Sequence, residues 1–478
     1  MMGRSLIFPI DDKYQSYLSD ESHLTGFADS ISFPGNEEEI RTVIAQARKS
    51  GQSITIQGGK TGIAGGAVPQ GGHILNLSNM NQVTSFRTTE EGLFLLTVEP
   101  GVTLLDLTRE IKKLDAKEEL FWPPDPTEPS ATVGGVAACN SRGLTASLYG
   151  DAKKYIYAVR VMDADGKTTE IICGNQSGKA QSGIADVSKV HLGGEGMFGV
   201  ITELTLILLR KPREIWGICF FFSCEPDAFS FAERLVLYVE EPLGAKIAAA
   251  EYMDRMTIDM IEERKPNTSS IKELPDVSPD AAAMIYVEIH GADEAAVEKY
   301  AEELLEMAEA CHVAADATWA VSGEYEVEKL RAFRHTAAES ANLYIEKISH
   351  TYPGICKLGM DMNFNGQSLA SVVSYIKESA EKNGLKVCIF GHIFGNHLHP
   401  NILPDNLEQF HKGQEIILEW AAASNKNPGE QNREHGIGKV KKQVFLSTVT
   451  EGTLQQIEQQ KKTLDPRGFW NPGNMIDT

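Results

Sequence analysis

Residues 391–401 read GHIFGNHLHPN, which puts His392, His397 and His399 close together in a chain with only 12 histidines over 478 residues. Upstream, LKVCIF is a continuous apolar run of strand type, and HLHPNIL resumes after Gly395-Asn396. Gly-Asn between two such runs signals a hairpin. A two-residue loop would set Phe394 opposite His397 and His392 opposite His399. Opposed residues hold their Cβ atoms roughly 4.5–5.5 Å apart on one face, and the period of two turns His397 to that face as well. Imidazoles so placed reach one divalent metal through nitrogen at about 2.0–2.1 Å. Three polar residues on a solvated hairpin face fit the same stretch, and it alone leaves both readings open.

The rest of the chain must position them. A length of 478 residues exceeds what one core supports, so two or more domains are expected. The composition, 42% hydrophobic and 23% charged, is that of a soluble globular protein. No apolar run approaches the ~20 residues a bilayer span needs, and MMGRSLIFPIDDKYQ does not read as a signal peptide. Cys139, Cys173, Cys219, Cys224, Cys311, Cys356 and Cys388 are scattered without a C-x-x-C pair. That argues for a reducing cytoplasm, without a disulfide framework or an iron–sulfur cluster. Net charge is 45 − 66 = −21, which counts against a nucleic-acid partner and fits an acidic cytosolic surface.

Residues 1–212 alternate glycine turns with short strands such as SITIQGG, GHILNLSNM, LFLLTVEPG, YIYAVRVMDADG and GVITELTLILL. Helical periodicity appears in NEEEIRTVIAQARKSG, with Asn36 as N-cap and Gly51 as its end, and in LLDLTREIKKLD. From 213 to 425 a strand followed by an amphipathic helix recurs about every 60–80 residues. This reads as repeated β-α units sharing one antiparallel sheet, with helices over one face. Residues 426–478 return to loop and short helix. The expected class is α+β.

Three glycine-rich stretches stand out. QGGKTGIAGGAVPQGG (57–72) follows a strand directly, and glycines there let backbone N–H groups cradle an anion such as a diphosphate. It matches neither G-x-G-x-x-G opening a helix nor G-x-x-x-x-G-K-[ST], and by itself it also suits a flexible loop. WPPDPTEPSATVGGVAACNSRG (122–143) joins a proline-stiffened turn to small residues, as a flat ring lying against backbone would need. HLGGEGMFGVITELTL (191–206) sets Gly-Gly-Glu-Gly before an apolar strand.

Together with EHGIG (434–438) and LDPRGFWNPG (464–473), these stretches resemble, in order, the motifs of the vanillyl-alcohol-oxidase/PCMH-type FAD-dependent oxidoreductases. Within that family the chain is similar to the D-lactate, glycolate and D-2-hydroxyglutarate dehydrogenase branch. The resemblance implies an FAD-binding domain of two subdomains over 1–212, a ferredoxin-like antiparallel-sheet cap domain over 213–425, and a C-terminal segment, 426–478, returning to the first. It implies a cytoplasmic enzyme oxidising a D-2-hydroxy acid.

By the same resemblance Gly58, Gly59, Thr61, Gly62, Gly65 and Gly66 hold the FAD diphosphate. Pro124, Asp125, Ser130, Thr132, Gly134, Gly135, Asn140 and Gly143 line the isoalloxazine and its linker, and Gly194, Gly196, Val200 and Ile201 meet the adenine end or the diphosphate. Relatives that tether flavin covalently through the first loop carry histidine after Gly-Gly; here that residue is Lys60, so FAD is expected to be non-covalent. His392, His399 and Glu434 are implied as ligands of a divalent metal such as zinc, iron or manganese. His435 takes the substrate proton, and Arg334 with Lys357 resembles the cationic pair that clamps the substrate carboxylate. Surface basic residues are the plainer reading of those two.

Three departures bear on this. His397 stands where the family usually has asparagine, as a third nitrogen ligand or as a residue that reshapes the pocket. His335 and Tyr344 fall in a longer stretch between Arg334 and Lys357 and are expected to face the pocket, and a family signature is eroded to IADV at 184–187. Without a cluster motif or nicotinamide fingerprint, the chain must pass electrons to an electron-transfer flavoprotein, an iron–sulfur subunit or a quinone. A homodimer is within the family's habits. The competing readings are a flavin-carrying subunit of a larger redox complex, and an oxidase or ether-lipid-synthase-like enzyme acting on another substrate.

Overall fold

A computed structural model describes residues 5–114, 119–173, 188–238, 244–363, 367–424 and 434–477; the IADV segment lies outside them. Local chemistry sets the elements. Helix α1 (Glu37–Ser50) starts where the Asn36 side chain accepts from the Glu39 N–H at 3.0 Å, carries three glutamates in its first turn, and ends at left-handed Gly51. Its buried stripe, Ile40, Val43, Ile44 and Ala47, is one helical face.

Two units divide the chain: Met1–Gly143, Gly150–Lys211 and Arg433–Thr478 form the first; Leu144–Tyr149 and Pro212–Asn432 form the second. In the first, strands β1 (Ile7–Pro9), β2 (Ser30–Ser32), β3 (Ile54–Gln57) and β4 (His73–Asn76) make one sheet in the order β1-β2-β4-β3. There β4 runs parallel to β2 and β3, and α1 covers a core completed by Phe469 and Trp470.

A second sheet, antiparallel, holds β5 (Val83–Thr88), β6 (Phe94–Val98), β7 (Leu120–Phe121), β8 (Ile156–Met162), β9 (Thr168–Ile172) and β10 (Val200–Arg210). The order is β5-β6-β10-β8-β9, with β7 on the end of β10. Helices α2 (Leu104–Leu114) and α3 (Val133–Cys139) pack on it through Leu107, Ile111, Val133 and Val136. The short α4 (Ala146–Tyr149) belongs to the second unit, and α5 (Ser188–His191) to the first.

The second unit is one sheet of eight strands: β11 (Glu214–Phe222), β12 (Ala245–Asp254), β13 (Ala283–Gly291), β14 (Thr318–Ser322), β15 (Leu358–Gly359), β16 (Met362–Asn363), β17 (Lys386–His392) and β18 (His397–Leu403). The order is β14-β11-β13-β12-β17-β18-β15, antiparallel throughout, with β16 also on β18. The strand-then-helix rhythm is present in α6 (Glu225–Tyr238), α7 (Arg255–Arg264), α8 (Glu294–Glu309), α9 (Glu324–Thr351), α10 (Leu369–Lys382) and α11 (Leu407–Ser424). The first unit ends with α12 (Lys442–Thr448) and α13 (Glu451–Leu464).

Helices cover both faces of this sheet, not one. Cys219, Phe221, Met253 and Phe390 pack against Ile258 and Ile261 of α7 and Leu330 and Phe333 of α9. From the opposite face Phe220 and Phe222 meet Phe231 of α6 at ring distances of 4.9 and 5.6 Å. Side chains alternate along a strand, so consecutive aromatics in WGICFFF require two buried faces.

Candidate active site

In the first unit the three glycine stretches are neighbours. A Cβ on Gly58 would lie 2.2 Å from Thr132 Oγ1, one on Gly59 2.6 Å from the Ser130 carbonyl, and one on Gly143 2.2 Å from the Asp125 carbonyl. Gly134 packs as tightly on Pro100. Thr132 caps α3 by accepting from Gly135 N–H at 3.3 Å, and Asn140 closes that helix in the left-handed region. Its Oδ1 accepts from Lys153 N–H at 2.9 Å. The 193–196 loop joins them: Gly193 N–H donates to Ala137 and Glu195 N–H to Ala138. Val200 and Ile201 are buried at the start of β10, where they anchor that loop.

Among the described residues no acceptor is found for the backbone N–H groups of Gly59, Lys60, Thr61 and Gly62, and Lys60 adopts a φ of 60°. Successive unengaged amides around a left-handed residue form an anion-binding concavity. Lys60 itself turns to the Ser16 carbonyl and stacks on Tyr17 at 4.6 Å. These residues fit the diphosphate of a dinucleotide such as FAD.

Glu195, which the motif reading passed over, locks the loops together. Its carboxylate accepts from Ile437 N–H at 2.5 Å and Gly438 N–H at 2.7 Å, while its carbonyl accepts from Asn471 Nδ2 at 2.7 Å. Asn474 Nδ2 reaches the Gly66 carbonyl at 3.0 Å, and Lys439 Nζ reaches Asn474 Oδ1 at 2.5 Å. Burial lowers the Lys439 ammonium to about 8, against the pull of Glu195 and Asp20. The paired asparagines of NPGN were the available signal. Glu434, buried, and His435 directly precede this lock and belong to the same unit.

The second unit holds the histidines. The structure corrects the hairpin register: His392 opposes His397, and His399 opposes Phe390. The loop is longer than two residues, because Ile393 is helical and Phe394–Asn396 form a 3-10 turn with Gly395 at a φ of 79°. A shift of two residues preserves the face. All three rings therefore cluster, with centroids 5.3 to 5.9 Å apart, and all are buried.

Two buried carboxylates hold two of these rings, His392 and His399. Glu251, opposite His392 on β12, takes its Nδ1, and Asp361 lies 3.1 Å from Nδ1 of His399. With Nδ1 occupied, either ring would bind a metal through Nε2, the usual carboxylate–histidine–metal arrangement. Asp361, His397 and His399 also offer three donor atoms within 4.8 Å of one another. Nitrogen and oxygen donors in that mix fit a divalent first-row metal. Neither Glu251 nor Asp361 was visible as a partner in sequence.

Arg334, buried on α9, donates Nε to Glu251 Oε2 at 2.7 Å and stacks over Phe390 at 4.7 Å. Among the described residues only its Nε makes a hydrogen bond to protein. Lys357 Nζ bonds Asn342 Oδ1 at 2.7 Å, and its Cε would lie 2.9 Å from a Cβ on Gly359. Asn401 Oδ1 would lie 2.5 Å from that same Cβ and is buried without a partner among the described residues. His335 is held neutral, its pKa lowered to about 4 by burial and then by Arg334 and Arg331. Tyr344 instead donates to Asp405 at 2.5 Å, a structural bond.

A family model described as FAD linked oxidases, C-terminal domain, matches residues 229–475, more than half of the chain, and one described as FAD binding domain matches residues 28–171. The chain is 27% identical to the glycolate oxidase subunit GlcD of Bacillus subtilis, over 94% of this chain and 89% of the relative. It is 24% identical to a D-lactate dehydrogenase of Anaerostipes hadrus (97% and 93% covered) and 26% to the mitochondrial D-2-hydroxyglutarate dehydrogenase of Rattus norvegicus (92% and 76%). In fold it is similar to 4-ethylphenol oxidase from Gulosibacter chungangensis, with a TM-score of 0.71 at 17% identity, covering 98% of this chain and 94% of that one. No helix among the described residues is long and apolar enough to cross a membrane. Glycine cradle, two-unit α+β fold and family match agree: the chain belongs to the FAD-linked oxidases and is an FAD-dependent oxidoreductase.

Proposed function

We propose that this oxidoreductase is a divalent-metal-dependent dehydrogenase of D-2-hydroxy acids, of the lactate, glycolate or 2-hydroxyglutarate kind, acting in the cytoplasm. The product is the 2-oxo acid, and the electrons leave to a separate acceptor: an electron-transfer flavoprotein, an iron–sulfur subunit or a quinone. The observation that carries the reading is the pairing of His392 and His399, each tied at Nδ1 by its own buried carboxylate, with ring centroids 5.5 Å apart. The names of the relatives point to the same substrate class.

His392 and His399 would hold the metal through Nε2, with Glu434 assigned as third ligand by its motif alone. His397, on the same face, supplies a further nitrogen or narrows the pocket. Arg334 offers its Nη groups, and Lys357 its ammonium, to the substrate carboxylate. His435, again by motif, takes the hydroxyl proton. When bound, FAD supplies the hydride acceptor and a divalent ion lowers the pKa of a coordinated hydroxyl.

Turnover of a D-2-hydroxy acid with an artificial dye acceptor tests the proposal. EDTA should abolish it and a divalent ion restore it. Unchanged turnover after EDTA would remove the metal from the account. A chain that carries FAD yet turns over nothing alone would favour the partner-subunit reading.

A further inference from the structure

We propose that Glu251 is a positioning residue that fixes the substrate-carboxylate clamp and a metal-binding imidazole to one another. The inference rests on the hydroxy-acid reading above and adds to it a residue outside every motif that carries that reading.

Glu251 sits mid-strand in β12 and is fully buried. A carboxylate in that position needs charged partners, because an ion taken out of water without them is strongly destabilised. Among the described residues it has two, and they differ. Oε2 accepts from Arg334 Nε at 2.7 Å, and Oε1 is bonded by His392 Nδ1. One planar group thus sets both the guanidinium and the imidazole, which lie on different elements, α9 and β17. Phe390, two residues before His392 on the same face, supports the flat side of Arg334 at 4.7 Å. Edge and face of the guanidinium are therefore both defined.

The adjacent ion pair is an internal control. One turn earlier on α9, Arg331 binds Glu288 with both Nε at 2.8 Å and Nη2 at 2.5 Å. Glu288 is also buried and also takes a histidine, His290 Nε2 at 2.5 Å, plus the Tyr286 hydroxyl at 2.7 Å. There the arginine spends two donors on a bidentate fork, a closed pair that serves the fold. Arg334 gives Glu251 a single donor, and among the described residues its Nη groups make no hydrogen bond to protein. The same residue types, three positions apart on one helix, are built once as a closed pair and once as an open one.

The carboxylate also selects a tautomer. An ionised Glu251 only accepts, so a neutral His392 carries its proton on Nδ1 and presents Nε2 as the metal donor. In Glu251→Gln one oxygen is replaced by an amide N–H, which cannot accept from His392 while the remaining oxygen stays with Arg334. The imidazole tautomer is then driven the other way.

The test uses full-length, FAD-loaded protein stripped of metal and titrated with Co(II), followed by its visible bands. Glu251→Gln should bind Co(II) about 10–100-fold more weakly and raise KM for the hydroxy acid. Glu288→Gln should lose thermal stability while keeping wild-type Co(II) affinity. Wild-type affinity and KM in Glu251→Gln overturn the proposal, and so does an equal loss of affinity in both variants. If Glu251→Gln does not fold, the 15N spectrum of histidine-labelled wild type decides instead, with the His392 signal assigned by its loss in His392→Gln. The Nδ1–H tautomer supports the proposal, and the Nε2–H tautomer overturns it. A wild-type chain that bound no Co(II) and turned over no hydroxy acid would instead refute the function proposed above.

Discussion

Asp361 Oδ1 lies 3.1 Å from Nδ1 of His399, and both groups are buried. That bond would fix how His399 faces the proposed metal without making Asp361 part of any motif. Replacing Asp361 with Asn keeps the shape and removes the charge. Divalent-metal affinity should fall about 10–100-fold with FAD content unchanged, as read by metal titration and by absorbance of the bound flavin. Undiminished affinity would leave Asp361 a packing residue.

Gly58 has no room for a methyl group, since its Cβ would sit 2.2 Å from Thr132 Oγ1. Gly58→Ala should purify with little or no flavin. Gly452, on α13, has nothing among the described residues within 4 Å of its Cβ position. Gly452→Ala should retain FAD and gain roughly 0.4–1 kcal/mol of stability by restricting the unfolded chain. Equal flavin in both variants would sever the glycine packing from cofactor binding.

Arg334→Lys retains a charge but loses the planar fork. A charge-assisted hydrogen bond is worth about 1.5–3 kcal/mol, so kcat/KM for a hydroxy acid should drop on the order of ten- to a hundredfold, mostly through KM. Steady-state kinetics over an acid series reads this directly. A change in kcat alone would place Arg334 away from the substrate carboxylate.

Buried His73 and His191 both have pKa values lowered by burial to about 4, from an ordinary value near 6.5. Folded, they stay neutral; unfolded, they take up protons below about 6.5. The unfolded chain therefore binds more protons between pH 6.5 and 4, and stability must fall as pH drops through that window. Glu288 adds to the loss further down. Burial pushes its carboxyl up, but Arg331 and then His290 outweigh that and hold it well below the usual range. Its stabilisation is complete above the unfolded carboxylate pKa and disappears as pH falls through the folded one. Urea midpoints measured from pH 7 to 4 should decrease, with a shallower slope in His73→Gln. A flat profile would contradict the burial of these rings.

How much of this was legible in sequence depends on the range of the interaction. Caps and stripes are local, so α1 from Glu37 to Ser50 could be read with its Asn36 and Gly51 boundaries. The hairpin face was legible because parity along a strand is local too. Its register was not, because Gly395-Asn396 looks like a complete two-residue loop and only the backbone shows Ile393 joining the turn. Glu251 lies 141 positions from His392 and 83 from Arg334, so nothing nearby marks that carboxylate as their common partner. The second helical layer on the sheet was missed although the run of aromatics at 220–222 carried it.

Anaerobic reduction of the bound flavin is the decisive measurement for metal-dependent oxidation of a D-2-hydroxy acid. The purified chain is mixed with D- and L-2-hydroxy acids, before and after EDTA, and the visible flavin band is followed. A D-acid should bleach the flavin and its L-enantiomer should not, and EDTA should abolish the bleaching until a divalent ion restores it. A flavin that no hydroxy acid bleaches, with metal present, would contradict that reaction.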